Sequence, residues 1–75
     1  MTIGINSTPS ILRVRHVTAR LGISRSAIYD WMDPKSPRYD STFPKPIRLG
    51  RASIGWLSTD VEAFIELRIA LRDGQ

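Results

Sequence analysis

Two short segments with helical periodicity meet at Leu21-Gly22-Ile23-Ser24, and this punctuation confines the chain to a tight corner between two helices. From about Arg15 to Leu21 a first helix is expected, with Val17 and Leu21 four residues apart on one face. Gly22 stands where a helix end favours left-handed backbone. Ser24 suits the cap of a second helix running to about Met32, its hydroxyl accepting from a free N–H of the first turn. In that helix Ala27, Ile28 and Trp31 fall at spacings that face Val17 and Leu21, and Arg25, Ser26, Tyr29 and Asp30 are left outward. Asp33-Pro34 ends it, because proline disfavours helical geometry in the residue before it.

The core that holds this corner must be small. The chain has 75 residues and no cysteine, so neither disulfides nor thiolate metal sites can staple it. Two Trp, two Tyr and two Phe supply much of the apolar area. One domain over residues 11–72 is expected, after a disordered lead-in at 1–10 and before a tail at 73–75. The start Met1-Thr2-Ile3-Gly4-Ile5-Asn6 has no basic region and no apolar run long enough for a signal peptide or a membrane span. A cytoplasmic location is the expectation.

Further along, Ile11-Leu12-Arg13-Val14 reads as a short strand or an apolar anchor. Residues 33–43, rich in Pro, Ser and Asp, read as a loop. Ile47 and Leu49 alternate with Arg48, and Ile54 and Trp56 flank Gly55. This pattern predicts two short strands joined around Gly50-Arg51-Ala52, with Ile47, Leu49 and Ile54 inward. Ser58 to Glu62 opens the longest helix, where Thr59 and Glu62 fit a capping box and Val61, Phe64 and Ile65 form the core stripe. Beyond Ile65 the apolar residues move to Leu67, Ala70 and Leu71. That flank is either a broad hydrophobic face covered by the N-terminal residues or a face for a partner.

Charge is segregated along the chain. Eleven Lys and Arg against seven Asp and Glu give a net +4. Residues 13–51 carry nine basic and three acidic side chains, and residues 52–75 carry two basic and four acidic ones. The positive field therefore belongs to the helical corner and the hairpin. A short helix with polar outward residues, followed by a basic hairpin, is how a winged helix-turn-helix reads double-stranded DNA.

The residues that carry this reading also resemble a known family. Gly22-Ile23-Ser24-Arg25-Ser26-Ala27-Ile28-Tyr29, Phe43-Pro44-Lys45-Pro46-Ile47-Arg48-Leu49-Gly50, Gly55-Trp56 and Asp60-Val61-Glu62-Ala63-Phe64-Ile65 closely resemble the AlpA family. Its members are small prophage-associated DNA-binding regulators, related to excisionases and to the winged DNA-binding domain of the MerR family. The resemblance spans roughly residues 12–68. It implies a mostly α fold with a small β-hairpin, with the Ser24–Met32 helix in the major groove and the 46–56 hairpin as the wing. Three positions depart from the family pattern. His16 replaces an acidic residue before the valine of the first helix, Arg51 directly follows Gly50 with Ala52 at the usual arginine position, and the loop before Phe43 is longer.

The candidate DNA-binding residues are Ser24, Arg25, Ser26, Tyr29, Lys45, Arg48 and Arg51. Arg25 can take guanine O6 and N7 bidentately or clamp a phosphate, and Ser26 and Tyr29 offer hydroxyls to phosphates or base edges. For Tyr29 the competing reading is a half-buried core aromatic, and for Ser24 a helix cap first. Arg48 and Arg51 would meet phosphate or a narrowed minor groove, and Lys45 between two prolines would touch backbone.

The expected function is regulation of prophage or mobile-element transcription. An excisionase that bends attachment-site DNA is the alternative within the same class, and a protein-interaction adaptor or anti-repressor using the C-terminal helix is the alternative outside it. Beyond DNA, the candidate partners are further copies of the chain on repeated sites and an integrase, a recombinase or RNA polymerase, with no membrane. No cofactor, metal or catalytic group is expected. One histidine, no cysteine and no glycine-rich phosphate loop argue against an enzyme, and Asp30, Asp33 and Asp40 lack calcium-loop spacing.

Overall fold

A computed structural model describes residues 9–74, so residues 1–8 of the expected lead-in and Gln75 of the expected tail lie outside it. In chain order the elements are β1 (Ile11–Leu12), α1 (Val14–Leu21), α2 (Arg25–Met32), β2 (Ile47–Arg48), β3 (Ile54–Leu57) and α3 (Ser58–Asp73). The chain is mostly helical with one small antiparallel sheet in the order β1-β3-β2. The expected hairpin is thus the larger part of a three-stranded sheet, because Ile11 and Leu12 pair with Leu57 and Trp56 on its open edge.

The corner between α1 and α2 forms as its residues require. Gly22 has φ 69°, the left-handed geometry that costs a side-chain-bearing residue, and its N–H donates to the Thr18 carbonyl at 2.8 Å. Ser24 caps α2, its Oγ accepting from the Ala27 N–H at 3.1 Å. The departure at His16 has a role at the other end of α1. Its Nδ1 accepts from the Arg13 backbone N–H at 3.2 Å, the task an acidic side chain performs in a capping box.

Val17, Ile28, Phe43, Trp56, Val61 and Phe64 form the buried core, so both short helices, β3, α3 and the long loop contribute. Phe43, the last residue of the expected loop, is part of this core and not a surface turn residue. Its ring meets those of Trp31, Phe64 and Trp56 edge-on at centroid distances of 5.5, 5.2 and 6.3 Å. The Trp56 indole Nε1–H donates to the Pro44 carbonyl at 3.1 Å, which fixes the loop's end against β3. The loop is also folded back onto α2, where the Asp40 N–H donates to the Trp31 carbonyl at 2.9 Å. Within the loop Asp33, Ser36 and Asp40 side chains accept from backbone N–H groups two residues on, which is the local turn chemistry of such residues.

Two expectations fail for identifiable reasons. Leu49 was expected inward but is 42 % exposed. In the β2–β3 register Ile47 opposes Gly55 and Arg48 opposes Ile54, so Ile47 and Leu49 share the face of Gly55 while Ile54 shares that of Trp56. The missing side chain at Gly55 makes room for them. A Cβ there would lie 2.6 Å from Ile11 Cγ2 and 3.1 Å from Leu49 Cδ1. The Thr59–Glu62 capping box is also absent. The N-cap of α3 is Leu57, two residues before Thr59, so Thr59 lies inside the helix; Ser58 is engaged with Ser10, and Glu62 is held by Arg20 in a two-point ion pair at 2.8 Å.

Among the described residues no helix is long and apolar enough to cross a membrane, and no group of three His, Cys, Asp or Glu side chains could hold a metal ion.

Candidate nucleic-acid interface

The corner and the hairpin enclose a cleft of about 440 Å³ between α2, the start of α1 and β3. Arg25 and Tyr29 line it from α2, Arg13 and Arg15 from the α1 start, and Ala52 and Ile54 from the hairpin. No acidic side chain lines it. The Arg25 guanidinium lies over the Tyr29 ring at 5.9 Å from its centroid, a cation–π contact that orients the charge along the outer face of α2. Tyr29 is 41 % exposed and serves as this platform and not as a core aromatic. Arg13 Nε donates to the Ile54 carbonyl at 3.2 Å, tying the start of α1 to the hairpin.

Ion pairing sorts the basic side chains into two sets. Arg20, Arg38, Arg68 and Arg72 are paired with Glu62, Asp30, Asp40 and Asp73. Among the described residues Arg13, Arg15, Arg25, Lys35, Lys45, Arg48 and Arg51 join no salt bridge, and three of these seven line the cleft. Arg48 is exposed and opposes Ile54 in the register, so it extends from the sheet face on which Ile54 borders the cleft.

The seven residues singled out from the sequence are therefore only partly gathered. Arg25 and Tyr29 are in the cleft, and Arg48 stands at its hairpin side. Ser24 is a cap, with its Oγ 3.2 Å from that of Ser26 in an exposed pair at the start of α2. Arg51 is exposed in the hairpin turn, while its neighbour Ala52 lines the cleft. Lys45 is placed elsewhere, beside Trp31, Met32 and Pro46 near the far end of α2. Arg13 and Arg15 are the residues that sequence reasoning passed over as site members. Their signal was the basic pair before His16, but nothing local shows that the start of α1 folds against the hairpin.

The family model described as "Prophage CP4-57 regulatory protein (AlpA)" matches residues 10–69, which includes every element of this cleft. The chain belongs to the AlpA family. A relative from Escherichia coli (strain K12), named DNA-binding transcriptional activator AlpA, is 45 % identical over 65 residues, covering 87 % of this chain and 93 % of the relative. No solved structure matches the chain significantly. The AlpA-family match brackets the whole of the described core, from Ser10 beside Ser58 to the distal half of α3.

Proposed function

We propose that this chain is a sequence-specific DNA-binding transcription regulator of a prophage or mobile element. In this reading it is a winged helix-turn-helix protein, with α2 as the probe of the major groove and the β2–β3 hairpin as the wing. The observation that carries the proposal is the cleft bearing three arginines and no carboxylate, between the outward face of α2 and the hairpin. Membership of a family of prophage regulators, and the name of the Escherichia coli relative, support the same reading.

The geometry is compatible with the groove. Eight residues of α2 span about 12 Å, close to the width of the major groove at about 12 Å. Arg25, Ser26 and Tyr29 face outward from α2 and are the groups for base edges, with Arg25 directed by its stack on Tyr29. Arg13, Arg15, Arg48 and Arg51 serve phosphates, which position the probe without reading sequence. Four phosphates neutralised by these arginines give a slope of log affinity against log salt of about −3.6.

Fluorescence anisotropy on duplexes tiled from the gene's own neighbourhood tests this against scrambled duplex. A fragment bound about 100-fold tighter than scrambled DNA is the expected result, within the range of specific proteins. Equal, weak binding to every duplex would defeat it. A best site at a promoter supports the regulator, and one at an attachment site supports the excisionase alternative.

A further inference from the structure

β1 ends at Leu12, opposite Trp56, because Val14 already belongs to α1, while β3 starts upstream of that pairing at Ile54. The mismatch leaves one carbonyl without a strand partner. The Leu49 N–H donates to the Ser53 carbonyl at 2.8 Å. By the alternation of an antiparallel ladder, the Ile54 carbonyl then points away from β2, to the side where β1 no longer runs. Arg13 fills that place with a side chain, its Nε–H donating to the Ile54 carbonyl at 3.2 Å. Among the described residues this is the one hydrogen bond that joins residues 48–54 to anything outside the hairpin.

Arg13 can hold the hairpin because its own backbone is fixed. Its N–H donates to His16 Nδ1 at 3.2 Å, and its carbonyl accepts from the His16 and Val17 N–H groups at 2.9 and 3.1 Å. The bond to Ile54 uses only Nε–H and leaves the Nη donors of the guanidinium free. Those donors belong to an exposed side chain that lines the basic cleft and, among the described residues, joins no salt bridge.

We infer that Arg13 is a positioning residue for the hairpin: Nε holds Ile54 while the Nη fork takes a DNA phosphate, which couples the grip on the backbone to the aim of Arg48. The inference rests on the wing reading proposed above. Arg48 directly opposes Ile54 in the register, so the carbonyl held by Arg13 belongs to the residue paired with the wing arginine. An ordinary phosphate contact adds its affinity independently of the wing, whereas the contact of Arg13 carries the wing with it. Arg15 lines the same cleft without a bond to the hairpin, and serves as the internal comparison.

Arg13→Lys separates the two roles, because lysine keeps the charge but has a methylene where arginine has Nε. On the best duplex of the tiling experiment, Arg13→Lys should weaken binding about fivefold to tenfold, the worth of one charge-assisted bond. Its salt slope should stay within about 0.5 of that of the unaltered chain. The cost of Arg48→Gln, read as log affinity, should fall by about half in the Arg13→Lys background and stay whole in the Arg15→Lys background. In the free chain, amide exchange across residues 48–54 should quicken in Arg13→Lys and not in Arg15→Lys, with thermal midpoints nearly equal. Additive losses for Arg13→Lys and Arg48→Gln, or equal exchange in the two lysine variants, would overturn the inference while leaving the DNA reading intact. An unaltered chain that prefers no duplex would defeat the proposed function and this inference with it.

Discussion

Arg25 and Arg68 are both exposed arginines on helices, and they have different surroundings. Around Arg25 are Tyr29, Arg13 and Arg15, with no carboxylate lining the shared cleft. Around Arg68 are Asp40 at 4.0 Å and Arg72, itself paired with Asp73. The difference follows from where the acidic residues fold. Four of the seven acidic side chains lie in residues 52–75, and the loop places Asp40 against α3. Charge on the cleft side is left available to a polyanion, while charge on the α3 side is largely balanced internally. Net charge alone, a mere +4, would not have shown this.

The strongest way to break the comparison is to neutralise each set. Arg13→Gln, Arg15→Gln and Arg25→Gln together should reduce the salt slope of DNA binding by about 2, the share of Arg13 and Arg15 at roughly 0.9 per phosphate contact. The matched triple of Arg38, Arg68 and Arg72 should change that slope by less than about 0.5. Equal slopes in the two triples, measured by anisotropy across a salt series, would remove the distinction.

The second contrast is mechanical. The sheet behind the cleft is closed over Gly55, whereas the distal half of α3 is open. Gly55→Ala should destabilise the fold by about 1–3 kcal/mol, as overpacking does, with partial recovery in the Ile11→Ala background. Leu71→Ser, at a site 47 % exposed, should change stability by no more than about 0.5 kcal/mol. Urea melts of the three variants decide it, and a large loss at Leu71 would mean that α3 has a partner in solution.

A smaller effect is expected at the helix corner, where Ser24→Ala should cost about 1 kcal/mol through the lost bond to the Ala27 N–H. The smallest concerns Asp40. The Thr42 hydroxyl holds its carboxyl below the usual range, with burial opposing and the Thr42 N–H and Arg68 assisting. A depressed folded-state pKa contributes stability that is present above pH ~4 and is lost as pH falls through the folded value. Asp40→Asn should flatten that acid limb and leave neutral-pH DNA binding unchanged.

These contrasts also mark what was legible in the sequence. The Gly22 corner, the Ser24 cap and the Val61–Phe64–Ile65 stripe were readable because backbone geometry and helical period are local. Phe43 was not, since its burial depends on Trp56 holding Pro44, twelve residues away. Leu49 was misplaced because a strand of two residues takes its sidedness from its partner's register, and Gly55 left that face open. Glu62 served a distant arginine in place of its own helix start. For the candidate site, the outward placement of Arg25 and Tyr29 on α2 was legible. The place of Arg13 and Arg15 in the cleft lining was not, because it exists only once α1 meets the hairpin.

The stack of Arg25 on Tyr29 bears on the entropy of recognition. A free arginine at an interface gives up rotamer freedom on binding, at about 0.5–1.5 kcal/mol for each such side chain. Arg25 has surrendered part of that freedom while the chain folds, because the ring below it already restricts the guanidinium. Tyr29→Phe keeps the restriction and loses only a hydroxyl, whereas Tyr29→Ala sets the arginine loose. The two variants therefore separate a contact made by the tyrosine from order that the tyrosine imposes on its neighbour.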